Sequence, residues 1–125
     1  LLDIFPTLCD LSGVDTPSSV EGGSLRACIK DTSMPRRQDL YLAYEGNIRG
    51  VTDGQYKLLE YARGETQLFD LSRDPLETNN LAGETRAQDT EAYLTERLVE
   101  LSSQWDDRAH PTGEAFWRQR KDLMQ

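Results

Sequence analysis

The sequence predicts an α+β domain, in which a small antiparallel sheet of about four strands is covered by one long C-terminal helix. Short apolar segments with strand-like alternation lie between residues 39 and 71 and are separated by brief turns. Asp53 and Gly54 join two of these segments, and a strand, Asp-Gly, strand arrangement is the strongest short signal for a hairpin. An apolar stripe of helical period follows in residues 86–106.

A short apolar helix is expected before the sheet, at residues 3–13. Asp3 suits its N-cap, Pro6 falls in the first turn, where a missing N–H costs nothing, and Gly13 suits the left-handed C-terminal cap. The apolar residues cover more than one face, as in a helix that is buried on several sides. A chain of 125 residues has little to surround such a helix, so we interpret it as the edge of a larger domain.

The segment after this helix is interpreted as a linker. "GVDTPSSVEGGSL" is rich in Gly, Pro and Ser, and "CIKDTSMPRR" shows no sustained period. The two cysteines, Cys9 and Cys28, are expected to be free thiols, with a disulfide between them as the alternative. Neither has a Cys or His at metal-ligand spacing, so no metal site is predicted there.

Four strand segments follow in succession: "DLYLAYE" at 39–45, "IRGVT" at 48–52, "QYKLLEYA" at 55–62 and "TQLFDL" at 66–71. In the first of them, alternation places three apolar residues on one face: Leu40, Leu42 and Tyr44. Because the turns between the segments are short, neighbouring strands are expected to be antiparallel.

The turn at Asp74-Pro75 is expected to be a rigid corner between the sheet and the long helix. Asp and Asn side chains hydrogen-bond their own backbone in such turns, and Pro75 fixes its φ. A calcium site is the alternative, because four oxygen-bearing side chains lie close together here: Asp70, Asp74, Glu77 and Asn80. The spacing lacks the glycine and the terminal bidentate Glu of a calcium loop, so we predict no metal in this chain.

The long helix is predicted near residues 86–106, and Thr85 and Gln88 fit a capping box at its start. One apolar stripe follows its length: Leu94, Leu98, Leu101 and Trp105. This stripe is expected to pack on the sheet, because four strands with one bare face need a cover. Pro111 is expected to close the helical region and to leave a charged tail.

The composition argues against several classes of protein. With a net charge of −8, the chain lacks the basic surface that nucleic acid requires, so no nucleic-acid partner is expected. No apolar run approaches the ~20 residues of a membrane-spanning helix, so no membrane span is expected. The sequence contains no glycine-rich phosphate loop, no histidine pair at helical spacing and no nucleophile elbow.

The stretch "QLFDLSRDPLETNNLA" resembles a sequence near the C-terminus of sulfatases, in the alkaline phosphatase superfamily. That sequence usually has the form E-L-Y-D-L followed by D-P-x-E-x-x-N-L-A. This chain departs mildly from it, with Gln67 for the Glu and Phe69 for the Tyr. The matching residues are Leu68, Asp70, Leu71, Asp74, Pro75, Glu77, Asn80, Leu81 and Ala82.

Three further stretches resemble the same family, in the family's order. "LDIFPTLCDLSGV" is similar to D-I-x-P-T-L-x-D-L-A-G, and "EGGSL" is similar to D-G-x-S-L. "IRGVTDGQYKLL" is similar to R-x-V-R-x-x-x-Y-K-L, with Thr52 where a second Arg is common. The residues in place there are Arg49, Val51, Tyr56, Lys57 and Leu58.

The resemblance implies that this chain is a fragment of a longer protein. Residues 1–35 would be the last helix of an α/β N-terminal catalytic domain plus a linker, and residues 36–125 would be the C-terminal sulfatase subdomain. The family's C-x-P-S-R or S-x-P-x-R motif, whose Cys or Ser becomes formylglycine, is found at neither Cys9 nor Cys28. Formylglycine, calcium and the catalytic residues are therefore expected in the rest of the parent, and no catalytic residue is expected here.

For the parent, the resemblance implies hydrolysis of a sulfate ester in a sulfated small molecule or saccharide. Glu45, Arg49 and His110, the single histidine, are expected to bind substrate as part of a cleft wall, with the N-terminal catalytic domain as partner. Two alternatives stay open: the same region of a phosphatase or phosphonate monoester hydrolase of the superfamily, and a stand-alone non-enzymatic binding module. A periplasmic or exported location of the parent also stays open.

Overall fold

The computed structural model of the chain describes residues 2–34 and 37–123, with side chains described up to residue 120. The chain forms two compact units, Leu1–Gln38 and Asp39–Gln125. No helix in the described part of the chain is long and apolar enough to cross a membrane.

The first unit contains two helices, α1 (Ile4–Ser12) and α2 (Arg26–Lys30). Gly13 ends α1 with a φ of 71°, which confirms the predicted left-handed cap. The short α2 lies inside the segment that was expected to be irregular, so that expectation was wrong. Five residues are too few to show a helical period in the sequence, which is why the pattern missed it.

Asp3 stands at the N-cap position of α1, but its side chain makes no capping hydrogen bond, contrary to the prediction. Its carboxylate instead accepts a hydrogen bond of 2.9 Å from the Gly23 amide and binds the Arg37 guanidinium. The Thr7 hydroxyl accepts a second hydrogen bond, of 2.9 Å, from the Leu25 amide. The polar side chains of α1 are therefore used to hold the following loop rather than to cap the helix.

The apolar residues of the α1 segment are largely exposed within the described chain: Leu2, Ile4, Phe5, Leu8 and Leu11 have relative exposures of 52–57%. Helices of this composition are normally buried on several sides. Cys9 and Cys28 are free thiols, so the alternative disulfide is not formed.

The second unit holds a four-stranded antiparallel sheet with the strand order β1-β2-β3-β4, as predicted. Its strands are β1 (Leu40–Tyr44), β2 (Ile48–Thr52), β3 (Tyr56–Tyr61) and β4 (Thr66–Asp70). The Asp53-Gly54 turn joins β2 to β3, and Gly54 has a φ of 93°. The Asp53 carboxylate accepts hydrogen bonds from the amides of Gln55 (2.9 Å) and Tyr56 (2.7 Å), which fixes this turn.

The long helix, α3 (Gln88–Gln104), packs on one face of the sheet, as predicted. Together they bury one apolar core: Val51, Leu58, Leu68, Ala87, Leu94, Leu98 and Leu101. The predicted capping box is wrong, because a 3₁₀ turn (Thr85–Ala87) precedes the helix and Ala87 occupies its N-cap position. A carboxylate still reaches back from the first turn, since Glu91 accepts a hydrogen bond of 2.9 Å from the Gly83 amide.

A second helix follows where the sequence was expected to end in a charged tail. Pro111 does not close the helical region, because it is the first residue of α4 (Pro111–Leu123). Proline is well suited to this position, where its missing N–H has no partner to lose. Phe116 of α4 is fully buried, and Arg120 forms an ion pair with Glu60 of β3. These contacts hold α4 against the sheet.

The corner after β4 is held by its own polar side chains. Asp74 accepts hydrogen bonds from the Thr78 hydroxyl (3.0 Å) and the Asn79 amide (2.8 Å). The pKa of Asp74 is lowered, first by the hydrogen bond from the Asn79 amide. Asn80 accepts a bond of 2.9 Å from the Leu68 amide, which ties the corner to the edge of β4. These contacts are those of turn and cap residues.

Asp74→Ala should lower the midpoint of thermal unfolding by a few degrees, because two turn hydrogen bonds are lost. Glu65→Ala is the matched control, an exposed acid in the β3–β4 turn, and its midpoint should stay close to that of the unchanged chain. Calorimetric titration with calcium should show no saturable heat at this corner. Stoichiometric calcium binding that Asp74→Ala abolishes would instead establish a metal site.

Candidate functional site

The structure gathers Glu45, Arg49 and His110 at one end of the sheet. Glu45 lies in the β1–β2 turn, Arg49 lies on β2, and His110 lies between α3 and α4. These three residues are separated in the sequence. Arg49 donates to the Glu45 carbonyl oxygen and to the carboxylate of Asp107, a residue that the sequence analysis did not identify. The His110 amide donates to the backbone carbonyl oxygen of the same Asp107.

Arg49 is almost completely buried, with 1% of its side chain exposed. Its Nε donates a hydrogen bond of 2.8 Å to Asp107 Oδ2, and its Nη1 donates one of 2.6 Å to the Glu45 carbonyl oxygen. The guanidinium also lies 5.2 Å from the centre of the Phe116 ring. Arg49 therefore connects the β1–β2 turn to the segment between α3 and α4, and its charge is compensated inside the unit.

Asp107 receives three hydrogen bonds on one oxygen, Oδ2. The donors are Arg49 Nε, the Tyr41 hydroxyl at 2.9 Å and Trp117 Nε1 at 2.8 Å. Burial opposes ionisation of Asp107, but these hydrogen bonds and the Arg49 charge outweigh it, so the pKa of Asp107 is lowered. Burial and the hydrogen bond to Asp107 raise the pKa of Tyr41 above its ordinary value, which is itself well above neutral pH, so the hydroxyl is a donor.

The exposed groups of the site belong to the two segments that the Arg49–Asp107 pair connects. Glu45 has a φ of 48°, which turns the chain sharply at the end of β1, and its side chain is exposed. His110 is also exposed, its amide donates to the Asp107 carbonyl oxygen at 3.2 Å, and its Nδ1 lies 2.9 Å from the Thr112 hydroxyl. A Cβ built on Gly46 would lie 3.5 Å from the Thr112 carbonyl oxygen, so the two segments are in contact.

Gly113 allows α4 to approach Asp107 closely. A Cβ at this position would lie 1.8 Å from the Asp107 carbonyl oxygen, a distance that no side chain tolerates. Any larger residue would push the start of α4 away from the segment that carries His110. Neither Gly113 nor Asp107 belongs to a motif, so their roles become visible only when the chain is folded.

The arrangement can bind a polar ligand but shows no chemistry of bond cleavage by itself. Its exposed side chains offer a carboxylate, an amide, an imidazole and a hydroxyl: Glu45, Asn47, His110 and Thr112. Such groups suit the hydroxyl and anionic substituents of a small polar molecule. Among the side chains that the structure describes, no group of three or more His, Cys, Asp or Glu is placed to hold a metal ion.

Comparison with known families assigns most of the chain to one family. Residues 1–104 match the family model described as N-sulphoglucosamine sulphohydrolase, C-terminal. The chain belongs to the sulfatase family. The match ends before Asp107, so the part of the site carried by His110 and α4 lies beyond the matched residues of this sulfatase domain.

Individual relatives agree with the family. The sulfatase domain is 34% identical to an arylsulfatase of Clostridium perfringens over 103 residues, which cover 79% of this chain and 21% of that protein. Its fold matches BT4656, solved with its substrate D-glucosamine-2-N,6-O-disulfate, with a TM-score of 0.74 and 26% identity. That match covers 90% of this chain and 25% of BT4656. The chain thus spans about a fifth to a quarter of the length of these relatives.

The fold is also shared outside the sulfatases. The phosphonate monoester hydrolase of Agrobacterium radiobacter matches with a TM-score of 0.62 and 24% identity, over 82% of this chain and 24% of that one. At this identity the similarity concerns the fold alone.

Proposed function

We propose that this chain is the C-terminal part of an enzyme that hydrolyses sulfate esters, with the catalytic domain elsewhere in the same polypeptide. Residues 1–35 would be the last helix of that domain and a linker, and residues 36–125 would be the C-terminal subdomain. The observation that carries the proposal is the match of residues 1–104 to the C-terminal region of a sulfohydrolase family. The exposed apolar side chains of α1 support the assignment of the first segment, because such a helix needs neighbours.

In the parent enzyme, the end of the sheet around Glu45 and His110 would form one wall of the substrate cleft. His110 and the Thr112 hydroxyl would donate hydrogen bonds to a sulfate or hydroxyl group, and the Glu45 carboxylate would accept one from a sugar hydroxyl. Arg49, which is 1% exposed, would act by holding the Glu45 carbonyl and Asp107 in place. The contribution of this wall to the rate would be substrate orientation.

The cofactors implied for the parent, calcium and formylglycine, do not fit the residues of this chain. The oxygens of Asp74 and Asn80, in the corner after β4, are already engaged by hydrogen bonds from that corner and from β4. Cys9 and Cys28 lack the sequence in which formylglycine is formed. We therefore propose that both groups are held by the catalytic domain of the parent.

A sulfated sugar is the substrate class that we propose for the parent. The support comes from BT4656, whose substrate is D-glucosamine-2-N,6-O-disulfate, and from the hydrogen-bonding character of the exposed site groups. Hydrolysis of a phosphonate monoester, the reaction named for the Agrobacterium hydrolase of similar fold, is the second candidate that the assay distinguishes.

The proposal is tested by assaying the complete polypeptide with three substrates: a chromogenic aryl sulfate, a sulfated glucosamine and an aryl phosphonate monoester. Hydrolysis of the two sulfates is expected. His110→Ala should raise KM for the sulfated sugar by about tenfold, the equivalent of one lost hydrogen bond. Glu96→Gln, an exposed acid on α3 away from the site, is the matched control and should leave KM unchanged.

Two results would contradict the proposal. Turnover of the phosphonate with none of either sulfate would assign the parent to the second candidate. Equal KM values for His110→Ala and Glu96→Gln would show that His110 does not contact the substrate. The assignment of the parent as a sulfatase would be unaffected.

The 125-residue chain alone should hydrolyse no sulfate ester, because neither cysteine lies in the nucleophile motif. The measurement is release of chromophore from an aryl sulfate by the purified chain, compared with a mock preparation from the same host. The mock preparation controls for a contaminating host sulfatase. Turnover that rises with the concentration of the chain, above that control, would contradict this expectation.

A further inference from the structure

Arg108 carries an exposed guanidinium group without a charged partner, next to the candidate site. It lies in a 3₁₀ turn, Asp107–Ala109, that directly precedes His110. Among the arginines that the structure describes, only Arg63 and Arg118 likewise form no ion pair with a described carboxylate. In a chain with a net charge of −8, an arginine without such a pair is the exception, so the charge of Arg108 calls for a role of its own.

The guanidinium of Arg108 is held in place although it has no ion pair. Its Nε donates a hydrogen bond of 2.9 Å to the Ser102 hydroxyl oxygen, and Ser102 is fully buried on α3. The Ser102 hydroxyl in turn donates to the Val99 carbonyl oxygen at 2.6 Å, so the helix fixes its position. The guanidinium also lies 4.6 Å from the centre of the Trp117 ring, where a cation is attracted to the aromatic face. The charge is therefore preorganised.

The Trp117 ring on which Arg108 stacks is itself tied to the candidate site. Its Nε1 donates a hydrogen bond of 2.8 Å to Asp107 Oδ2, the oxygen that also accepts from Arg49. The His110 amide donates to the carbonyl oxygen of the same Asp107. Arg108 and His110 therefore belong to one short segment whose position Asp107 fixes.

A second arginine, Arg120, lies over the same ring, with its guanidinium carbon 5.3 Å from the ring centre. Its Nε and Nη2 both bind the Glu60 carboxylate, so its charge is already compensated. Arg108 has the same stacking partner, but within the described part of the chain its two Nη groups have no acceptor. Parallel N–H donors of this kind match two oxygens of a sulfate or a carboxylate.

We propose that Arg108 binds a second anionic group of the substrate, in addition to the sulfate that is hydrolysed. This inference rests on the proposed function, because it takes the substrate to be a sulfated sugar. The second anion would be another sulfate or a carboxylate of the same saccharide, since both present the pair of oxygens that a guanidinium recognises. Arg108 would thereby make the parent enzyme prefer doubly anionic saccharides to singly sulfated ones.

The test compares KM values of the complete polypeptide for singly and doubly charged sugars. The singly charged substrates are glucosamine 6-O-sulfate and glucosamine 2-N-sulfate. The doubly charged ones are glucosamine 2-N,6-O-disulfate and a disaccharide that joins a uronate to a singly sulfated glucosamine. The disulfate identifies a sulfate as the second anion, and the disaccharide identifies a carboxylate.

Arg108→Gln should raise KM for the doubly charged sugar by about tenfold, the equivalent of a lost charge-assisted hydrogen bond, and should change KM for the singly charged sugar by less than about twofold. A merely structural role would not produce this difference, because a displaced turn would weaken the binding of both kinds of sugar. The preference for the second anion is therefore the readout.

Arg73→Gln is the matched control for the loss of one positive charge. Arg73 is 85% exposed and follows β4, at the other end of the sheet from the β1–β2 turn, so its removal should leave the preference unchanged. Ser102→Ala is the second variant, for the case that Arg108→Gln does not fold. It keeps the charge and removes the acceptor of Arg108 Nε, so the preference should fall in the same direction and by a smaller factor.

Two outcomes would overturn the inference. A rise in KM by the same factor for singly and doubly charged sugars would show that Arg108 only holds its turn against α4. An equal preference in Arg108→Gln and Arg73→Gln would show that the Arg108 charge does not contact the substrate.

Failure of the proposed function would be recognised separately, as the absence of turnover of every sulfated sugar. The same comparison is then made with Kd values from calorimetric titration of these sugars. A preference for the doubly charged sugar that Arg108→Gln removes would support the anion site and contradict only the proposed reaction. Equal Kd values for singly and doubly charged sugars would overturn the anion site as well.

Discussion

Leu98→Ala is expected to lower the free energy of unfolding of the second unit by about 2–5 kcal/mol. Leu98 is fully buried on α3 and belongs to the core that the helix forms with the inner face of the sheet. The substitution removes buried methyl groups and leaves a cavity, because the sheet on one side and the helix backbone on the other cannot close fully around alanine. Urea unfolding followed by far-UV circular dichroism measures the loss.

Leu76→Ala is the matched control for this prediction. It removes the same atoms from a leucine that is 82% exposed, so its effect should stay within about 0.5 kcal/mol. If Leu98→Ala cost no more than Leu76→Ala, the helix would not be the cover of the sheet in solution. A changed slope of the urea dependence would indicate a change in the unfolded or native state beyond a simple cavity.

The sheet and α3 could be predicted from the sequence because their signals are local. The Asp53-Gly54 turn needs only neighbouring residues, whose amides bind the Asp53 carboxylate. The apolar stripe through Leu94 and Leu98 predicts both the helix and the face of the helix that is buried. Where local preference and tertiary packing agree in this way, the pattern alone is enough.

The start of α3 and the existence of α4 could not be predicted in the same manner. A 3₁₀ turn at Thr85–Ala87 shifts the helix start beyond the residues that fitted a capping box. Pro111 is compatible both with the end of one helix and with the first residue of another. Tertiary contacts decide between them, chiefly the burial of Phe116 and the ion pair between Arg120 and Glu60.

The candidate site shows the same limit more clearly. Glu45, Arg49 and His110 were selected by residue type and by resemblance, and the fold brings them to one place. Asp107, which contacts both Arg49 and His110, is 58 residues from Arg49 in the sequence and belongs to no recognisable motif. The burial of Arg49 was equally invisible, because an arginine on a strand is expected at the surface unless a partner is known.

Asp107→Ala is expected to lower the free energy of unfolding by about 3–5 kcal/mol, because it leaves the buried Arg49 guanidinium without its charged partner. The hydroxyl of Tyr41 and the indole N–H of Trp117 lose their acceptor in the same step. Glu96→Ala, which removes an exposed acid from α3, is the control for the change in net charge. A double-mutant cycle with Arg49→Met measures the coupling, since removing both partners should cost less than the sum of the two single changes.

The pH dependence of stability distinguishes the contribution of the Asp107 charge from the contribution of its shape and hydrogen bonds. Its pKa is lowered in the folded chain, so the ionised carboxylate contributes stability that is fully present above the unfolded pKa of about 3.9. That contribution is lost as the pH falls through the lower, folded pKa. Asp107→Asn keeps the shape but not the charge. The free energy of unfolding of Asp107→Asn should therefore lie below that of the unchanged chain by a constant amount from about pH 8 to pH 5. This difference should shrink below about pH 4. A deficit that stays the same down to about pH 2.5 would mean that Asp107 stabilises the fold as a hydrogen-bond acceptor alone, without a contribution from its ion pair with Arg49.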